Sequence, residues 1–370
     1  MPAQLLDHPA RRAPTAARLW IPKHVLVTRS AAGLPHTAEI LRRVAAHGVA
    51  DIRVLTSDRL PTAPKDESER EAYARAKATM AVVVAPPSAL KPQPIPPSAD
   101  WRLDLARGCP AHCQYCYLAG SLSGPPVTRV HANLDEVLAP IATLTGTGSV
   151  TTGNALRGDE GTTFELSCYT DPLGIEHLTG ALATAIERVG TGRYGDGASL
   201  RFTTKFDAVE PLLALRHGGR TRIRFSVNAA EVERFEGGTA RMPARIDALR
   251  RVAAAGYPVG LTIAPVMPVD GWQEAYGRLL DDVAAALSTV PAVDLTAEVI
   301  THRFTPASKQ VLEGWYPRTK LEMDETVRSV KRSKFGGVKY VYPRETMREL
   351  RAWFEHEVPA RLPARLLYQT

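Results

Sequence analysis

Three of the four cysteines of this chain, Cys109, Cys113 and Cys116, lie in the stretch "RGCPAHCQYCYLAG" (residues 107–120), and the fourth, Cys168, stands more than fifty residues further on. Thiolates separated by three and two residues can wrap one inorganic centre from a single loop. Structural zinc takes four protein ligands, commonly as two separated halves, and no second half follows here. A four-iron, four-sulfur cube takes its thiolates at individual irons, so three short-spaced cysteines leave one iron open to a ligand that is not protein. An open iron means chemistry. The zinc alternative requires Cys168 or His112 to complete the set.

Those residues need a frame. From Trp101 onward, the strand-like runs "WRLDLARG", "TTFELSCYT", "SLRFTTKF", "RTRIRFSVN", "YPVGLTIAPVM" and "VDLTAEVIT" alternate with helix-like segments such as "GIEHLTGALATAIERV". Six such repeats imply parallel strands with right-handed crossovers, either a doubly wound sheet or an open, partial barrel. In both, chemistry sits at the C-terminal ends of the strands. The three cysteines follow the first of these strands and Cys168 ends the second. The expected organisation is an N-terminal α/β region over residues 1–98, the barrel over 99–302 and a C-terminal extension over 303–370. "APPSALKPQPIPPSAD" packs six prolines into residues 85–97 and reads as an extended spacer closing the first region. In the extension, "KRSKFGGVKYVYPRE" reads as a basic, aromatic hairpin turning at Gly336 and Gly337.

Composition narrows the class. With 46 Lys+Arg against 39 Asp+Glu, the net charge of +7 suits either a polyanionic partner or a simply solvated basic enzyme. No apolar run approaches the roughly eighteen residues of a membrane span. The N-terminus lacks the apolar core of a secretory signal, so a cytoplasmic address and no membrane partner are expected. Four cysteines grouped three to one do not form a disulfide framework.

CxxxCxxC with Tyr115 just before its last cysteine resembles the radical S-adenosylmethionine superfamily. Further blocks, "SCYTDPLGIEHLTG", "LRFTTKF", "TRIRFSVN", "HRFTPASKQVLEGWYP" and "GGVKYVY", resemble in order and spacing the spore photoproduct lyase family, from about Trp20 to the C-terminus. The resemblance implies a partial (β/α)6 TIM-type barrel and a lyase that reverses 5-thyminyl-5,6-dihydrothymine in ultraviolet-damaged DNA. It implies a [4Fe-4S] cluster on Cys109, Cys113 and Cys116, and S-adenosylmethionine held by Tyr115, Lys205, Ser226 and Asn228. It makes Cys168 the hydrogen-atom donor and Tyr115 and Tyr117 a radical relay. It also implies an external electron donor such as a flavodoxin or ferredoxin, while the oligomeric state stays open. In the hairpin, Lys334, Lys339 and Tyr340 are the candidate DNA contacts.

Plainer roles stand beside each of these. Tyr115 and Tyr117 could only shield the cluster, Lys205 could be a surface ion-pair residue, and Ser226 and Asn228 could form strand-end turns. Asp171 reads as a helix N-cap. The chain also departs from the family: Tyr169 follows Cys168 where threonine is usual, and the loop of residues 142–161 is long and rich in Gly and Thr. Both leave room for another DNA lesion or nucleotide as substrate, the loop by changing access at the active face. The alternative of another class is a non-catalytic nucleic-acid-binding protein with a structural zinc or iron-sulfur site.

Overall fold

β1 (His24–Val27), β2 (Asp51–Val54) and β3 (Thr79–Val83) are short runs joined by helices, and they pair in parallel. The helix Glu69–Lys77, between β2 and β3, starts at a capping box in which Ser68 and Glu71 accept each other's backbone N–H. The computed structural model describes residues 18–370 other than 63, 65, 122, 123, 125, 152 and 333–336. The strand, sheet and ion-pair statements that follow concern those described residues.

The proline-rich stretch is part of a sheet and not a spacer. β4 (Gln93–Ile95) pairs antiparallel with β5 (Ala99–Arg102). It can carry Pro94 because it is the outermost strand, where one side of the backbone needs no ladder.

β6 (Ala106–Arg107), β7 (His112–Cys113) and β8 (Thr128–His131) follow. β6 and β8 belong with β1–β3, in the order β2-β1-β3-β8-β6. "WRLDLARG" is therefore two strands in two sheets, and the first sheet crosses the boundary expected at residue 98. Between the pieces, Leu103 N–H donates to the Glu165 carbonyl while the Leu105 carbonyl accepts from His131. Buried Asp104 sits at this break, 3.3 Å from Arg102 and 3.1 Å from Arg107. The three-cysteine loop leaves from the seam between the sheets.

The second sheet continues through β9 (Thr162–Glu165), β10 (Ala198–Thr204) and β11 (Thr221–Val227); the short β12 (Glu236–Gly237) pairs elsewhere, and β13 (Val259–Val266) and β14 (Leu295–Thr301) rejoin the sheet. β15 (Ser329–Arg332) and β16 (Val338–Val341) form a hairpin, and β17 (Ala364–Gln369) ends the chain. The sheet order is β17-β14-β13-β11-β10-β9-β5-β4, parallel throughout except for β4. The parallel strands follow chain order without reversal. A doubly wound sheet requires a reversal, so the architecture is the partial barrel. β17, in the segment expected to be only an extension, adds a further parallel strand beside β14.

Alternation along the strands sends charge into the barrel. Glu165, Arg201, Arg224 and Glu298 are buried there, with Arg224 2.6 Å from Glu298, and the Tyr368 hydroxyl donates to Glu298 at 2.9 Å. Arg201 also pairs with Glu298. These groups neutralise one another, which is what allows them to lie out of water.

The loop of residues 142–161 is not at the active face. It enters the N-terminal end of β9 and is held there. Asp100 accepts from the backbone N–H of Val150 at 2.8 Å and of Thr151 at 3.1 Å. Fully buried Arg157 donates to the carbonyls of Pro97 and Ser98 at 3.0 and 2.8 Å. Among the described residues, no helix is long and apolar enough to cross a membrane.

Candidate active site

The loop carrying the three cysteines begins at Gly108, whose φ of +90° favours glycine and where a Cβ would collide with the Val127 carbonyl. The backbone is pinned from the N-terminal unit: the ammonium of Lys77 donates to the Cys109 carbonyl at 2.6 Å and also to the Ala111 carbonyl. β7 is fixed by antiparallel pairing with β12, which sets Cys113 opposite Glu236. Cys113 is buried and Cys109 and Cys116 are half-buried. Burial pushes the Cys109 thiol up to about 12 and the Cys113 thiol well above the usual range, and their neighbouring thiols push both further.

Cys109 and Cys113, two thiols that resist ionising in isolation, suit a cationic partner that would compensate their thiolates. Among the described residues, no three His, Cys, Asp or Glu side chains converge as a single metal ion requires. A four-iron cube takes each thiolate at a separate iron and does not ask for that convergence. His112 Nδ1 is 3.2 Å from the Tyr73 hydroxyl, and burial lowers its basicity to about 4.

Facing this loop, the strand ends of β10 and β11 meet. Arg224, Ser226 and Asn228 share one face of β11 by period two, as Arg201, Thr203 and Lys205 do along β10. The Lys205 ammonium lies 2.7 Å from Ser226 Oγ and 2.9 Å from Glu236 Oε1, and 5.4 Å from the centre of the Tyr115 ring. The Tyr115 hydroxyl donates to the same Glu236 oxygen. Arg245 forms an ion pair with the other oxygen at 2.5 Å, although that oxygen has no hydrogen-bond partner among the described residues. Burial pushes the Glu236 carboxyl up, but Lys205 and Arg245 outweigh it and hold the group below its ordinary range.

Asn228 stands apart from this cluster. It is buried, donates to the Pro265 carbonyl at 2.8 Å and accepts from the Tyr276 hydroxyl at 2.8 Å, so it shapes the end of β11 from behind. Asp171 accepts from Gly174 N–H at 3.4 Å in the following short turn, as a cap would. It also accepts from Lys205 N–H at 2.7 Å and Thr204 Oγ1 at 2.8 Å, so it positions Lys205 as well. Between Cys168 and Asp171, the buried hydroxyl of Thr170 has no hydrogen-bond partner among the described residues. The lysine, serine and tyrosine grouped at these strand ends suit a polar ligand with both charged and hydroxyl groups.

Cys168 lies just past β9, on a different loop from the other three cysteines. Burial, with Glu165 and Asp104 nearby, raises its pKa well above the usual thiol range, so the group is held as S–H. The Tyr117 hydroxyl donates to the Cys168 carbonyl, which ties the two loops together. Tyr169 does not swing free: the guanidiniums of Arg102 and Arg107 lie 4.8 and 5.0 Å from its ring centre.

Lys334 lies outside the described residues. Lys339 is exposed and sits opposite Lys331 in the hairpin. Tyr340 is an anchor: its backbone bonds both ways with Phe304, at 2.8 and 3.2 Å, and its ring stacks on Phe304 with centres 5.3 Å apart. The residues that sequence reasoning missed are Lys77, Glu236 and Arg245. "EREAYARAK" and "RFEGG" carry no spacing that marks them; only long-range packing brings them here. A cavity of about 750 Å³ touches the cysteine loop at Pro110 and His112 and is also lined by Glu236; its described lining does not include Tyr115, Lys205, Ser226 or Cys168.

Comparison with known proteins follows this geometry. The family model described as "SPL: Spore photoproduct lyase" matches residues 20–370. The chain is 40% identical over 332 residues to the spore photoproduct lyase of Geobacillus sp. (strain Y412MC61), covering 90% of this chain and 93% of that protein. It is 36% identical to that of Bacillus subtilis (strain 168), covering 95% and 99%. A solved structure of spore photoproduct lyase complexed with dinucleoside spore photoproduct superposes with a TM-score of 0.85 at 37% identity, covering 95% of this chain and 100% of that one. A double mutant solved with bound AdoMet and dinucleoside spore photoproduct matches at the same TM-score and identity, with the same coverage.

Proposed function

Because the chain belongs to the spore photoproduct lyase family, we propose that it is a radical S-adenosylmethionine lyase that returns spore photoproduct in ultraviolet-damaged DNA to two thymines. Cys109, Cys113 and Cys116 would hold a [4Fe-4S] cluster, and Tyr115, Lys205 and Ser226 would hold S-adenosylmethionine. Bound there and given one electron by an external donor such as a flavodoxin or ferredoxin, these cofactors supply a 5′-deoxyadenosyl radical that takes a hydrogen atom from the lesion.

The observation that carries this reading is the position of Cys168. It stands outside the cysteine loop, beside it through Tyr117, with its thiol held neutral. A thiolate has no hydrogen atom to give. A neutral S–H, the weakest such bond among common side chains, can pass its hydrogen atom to the thymine allylic radical left when the two thymines separate. The product is thymine and the cysteine becomes a thiyl radical. Tyr117 and Tyr115 then offer hydroxyl groups for returning the radical towards the cofactor. Because the duplex hides the lesion, binding requires extrusion of the damaged step, which stacks poorly and costs less to open than an intact one.

Anaerobic reconstitution and turnover with the defined dinucleotide lesion test the proposal. About four irons and four sulfides per chain, with 5′-deoxyadenosine and thymine as products, are expected. Stoichiometric zinc, or no cleavage of S-adenosylmethionine, would overturn it.

A further inference from the structure

Glu236 has no role in the chemistry described so far, yet it touches three separate parts of the site. One oxygen accepts from the Lys205 ammonium at 2.9 Å and from the Tyr115 hydroxyl. The other faces Arg245 at 2.5 Å, and Arg245 is itself fully buried. Its backbone, on β12, is the register partner of Cys113 on β7. A buried carboxylate between two cations and a phenol is costly to desolvate and keeps its place only because all three partners converge on it. Arg245 is in turn fixed by the carbonyls of Ser226 and Ala240, each at 2.9 Å, so the anchor behind Glu236 is rigid.

We propose that Glu236 is the positioning residue of the cofactor site: it fixes the Lys205 ammonium and the Tyr115 ring relative to the cysteine loop, so that S-adenosylmethionine meets a preformed pocket. Without the carboxylate, the Lys205 ammonium keeps, among the described residues, the Ser226 hydroxyl and its place over the Tyr115 ring, and the Tyr115 hydroxyl loses the partner that sets that ring. The thiols keep their backbone frame, because Glu236 pairs with Cys113 through the backbone, which a side-chain change leaves in place, while the carboxylate reaches the same loop only at the Tyr115 hydroxyl. Glu236 touches no reacting atom and acts through Lys205 and Tyr115. This inference rests on the proposed use of S-adenosylmethionine.

The test uses reconstituted full-length protein with Glu236→Gln, Lys205→Met and the double variant. Glu236→Gln should keep the iron content and the electron paramagnetic resonance signal of the reduced cluster without S-adenosylmethionine. It should need about tenfold more S-adenosylmethionine to produce the cofactor-dependent change in that signal, with KM raised and kcat largely kept, the scale typical of residues that orient ligands from behind. Glu236→Asp should recover part of the loss. In the Lys205→Met background, Glu236→Gln should add little, since partners in one network are not additive. If wild-type protein shows no cofactor-dependent change, the functional reading fails and this inference with it. If wild type responds and Glu236→Gln responds at the same concentration, only the Glu236 assignment is overturned. Loss of the cluster in both Glu236→Gln and Glu236→Asp would also overturn it, by showing that the residue serves the fold of the loop.

Discussion

The Tyr117 hydroxyl donates a hydrogen bond to the backbone carbonyl of Cys168, fifty-one residues away in sequence. This bond joins the loop that carries three thiols to the loop that carries the fourth. It holds the Cys168 backbone beside the loop of three thiols without engaging the Cys168 sulfur.

Cys168→Ala should leave cluster content and 5′-deoxyadenosine formation intact while by-products replace thymine. Tyr117→Phe removes the proposed relay hydroxyl as well as this bond, so it should keep thymine as the product and slow turnover by more than the roughly two- to tenfold of one lost hydrogen bond of about 0.5–1.5 kcal/mol. Product analysis by chromatography separates the two. Clean repair by Cys168→Ala would remove that cysteine from the mechanism.

Tyr169 is held by Arg102 and Arg107. Tyr169→Thr should therefore cost stability, about 1–2 kcal/mol for two cation–π contacts, without changing the product. Urea denaturation and product analysis check both halves. A new product would make Tyr169 a determinant of substrate choice.

Lys331, Arg332 and Lys339 are exposed on the hairpin. Changing all three to alanine should weaken binding to damaged duplex and lower the slope of log K against log salt by about two to three, near 0.9 per phosphate contact. Turnover of the isolated dinucleotide should be unchanged. Equal loss on both substrates would place the hairpin's effect in the active site instead.

Glu298 accepts from Arg201, Arg224 and Tyr368 inside the barrel. Burial pushes its carboxyl up, but Arg224 and Arg201 overcome this and hold it at about 2. Glu298→Gln leaves two buried guanidiniums without their shared anion and should cost about 3–5 kcal/mol of unfolding free energy, read from the denaturant midpoint.

His302 is buried, and burial together with Arg328 lowers its basicity to about 3. Its unfolded value is near 6.5, so between about pH 6.5 and 3 the unfolded chain binds the extra proton. Stability therefore falls as pH drops through that window, by up to about 1.4 kcal/mol per pH unit from this group. His302→Asn keeps an acceptor for Arg328 and cannot be protonated. Its denaturant midpoint should fall less steeply below pH 6.5; parallel curves for the two proteins would refute the assignment.

Much of the site is legible in the sequence because its chemistry is local. Three thiols at short spacing lie on one loop whatever surrounds them, and the period of two along "LRFTTKF" and "TRIRFSVN" places Lys205 and Ser226 at strand ends on one face. The same period was present for Asn228, but its amide is taken by Pro265 and Tyr276, partners that no local pattern names. The proline-rich stretch misled for a related reason. Proline forbids a central strand but not an edge, and edge or centre is a property of the whole sheet.

By itself the sequence determined the cysteine loop, the separate place of Cys168 and the alternation of strands and helices after Trp101, because each depends on residue type and short spacing; the unreversed strand order that makes a barrel came from the structure. Only the tertiary structure decided that "WRLDLARG" divides between two sheets, that β17 continues the barrel, and that the 142–161 loop lies at the opposite end from the chemistry. It also decided that Lys77, Glu236 and Arg245 belong to the site. These depend on pairings between residues far apart in the chain, and a buried charge is placed by whichever partner can neutralise it, not by its neighbours in sequence.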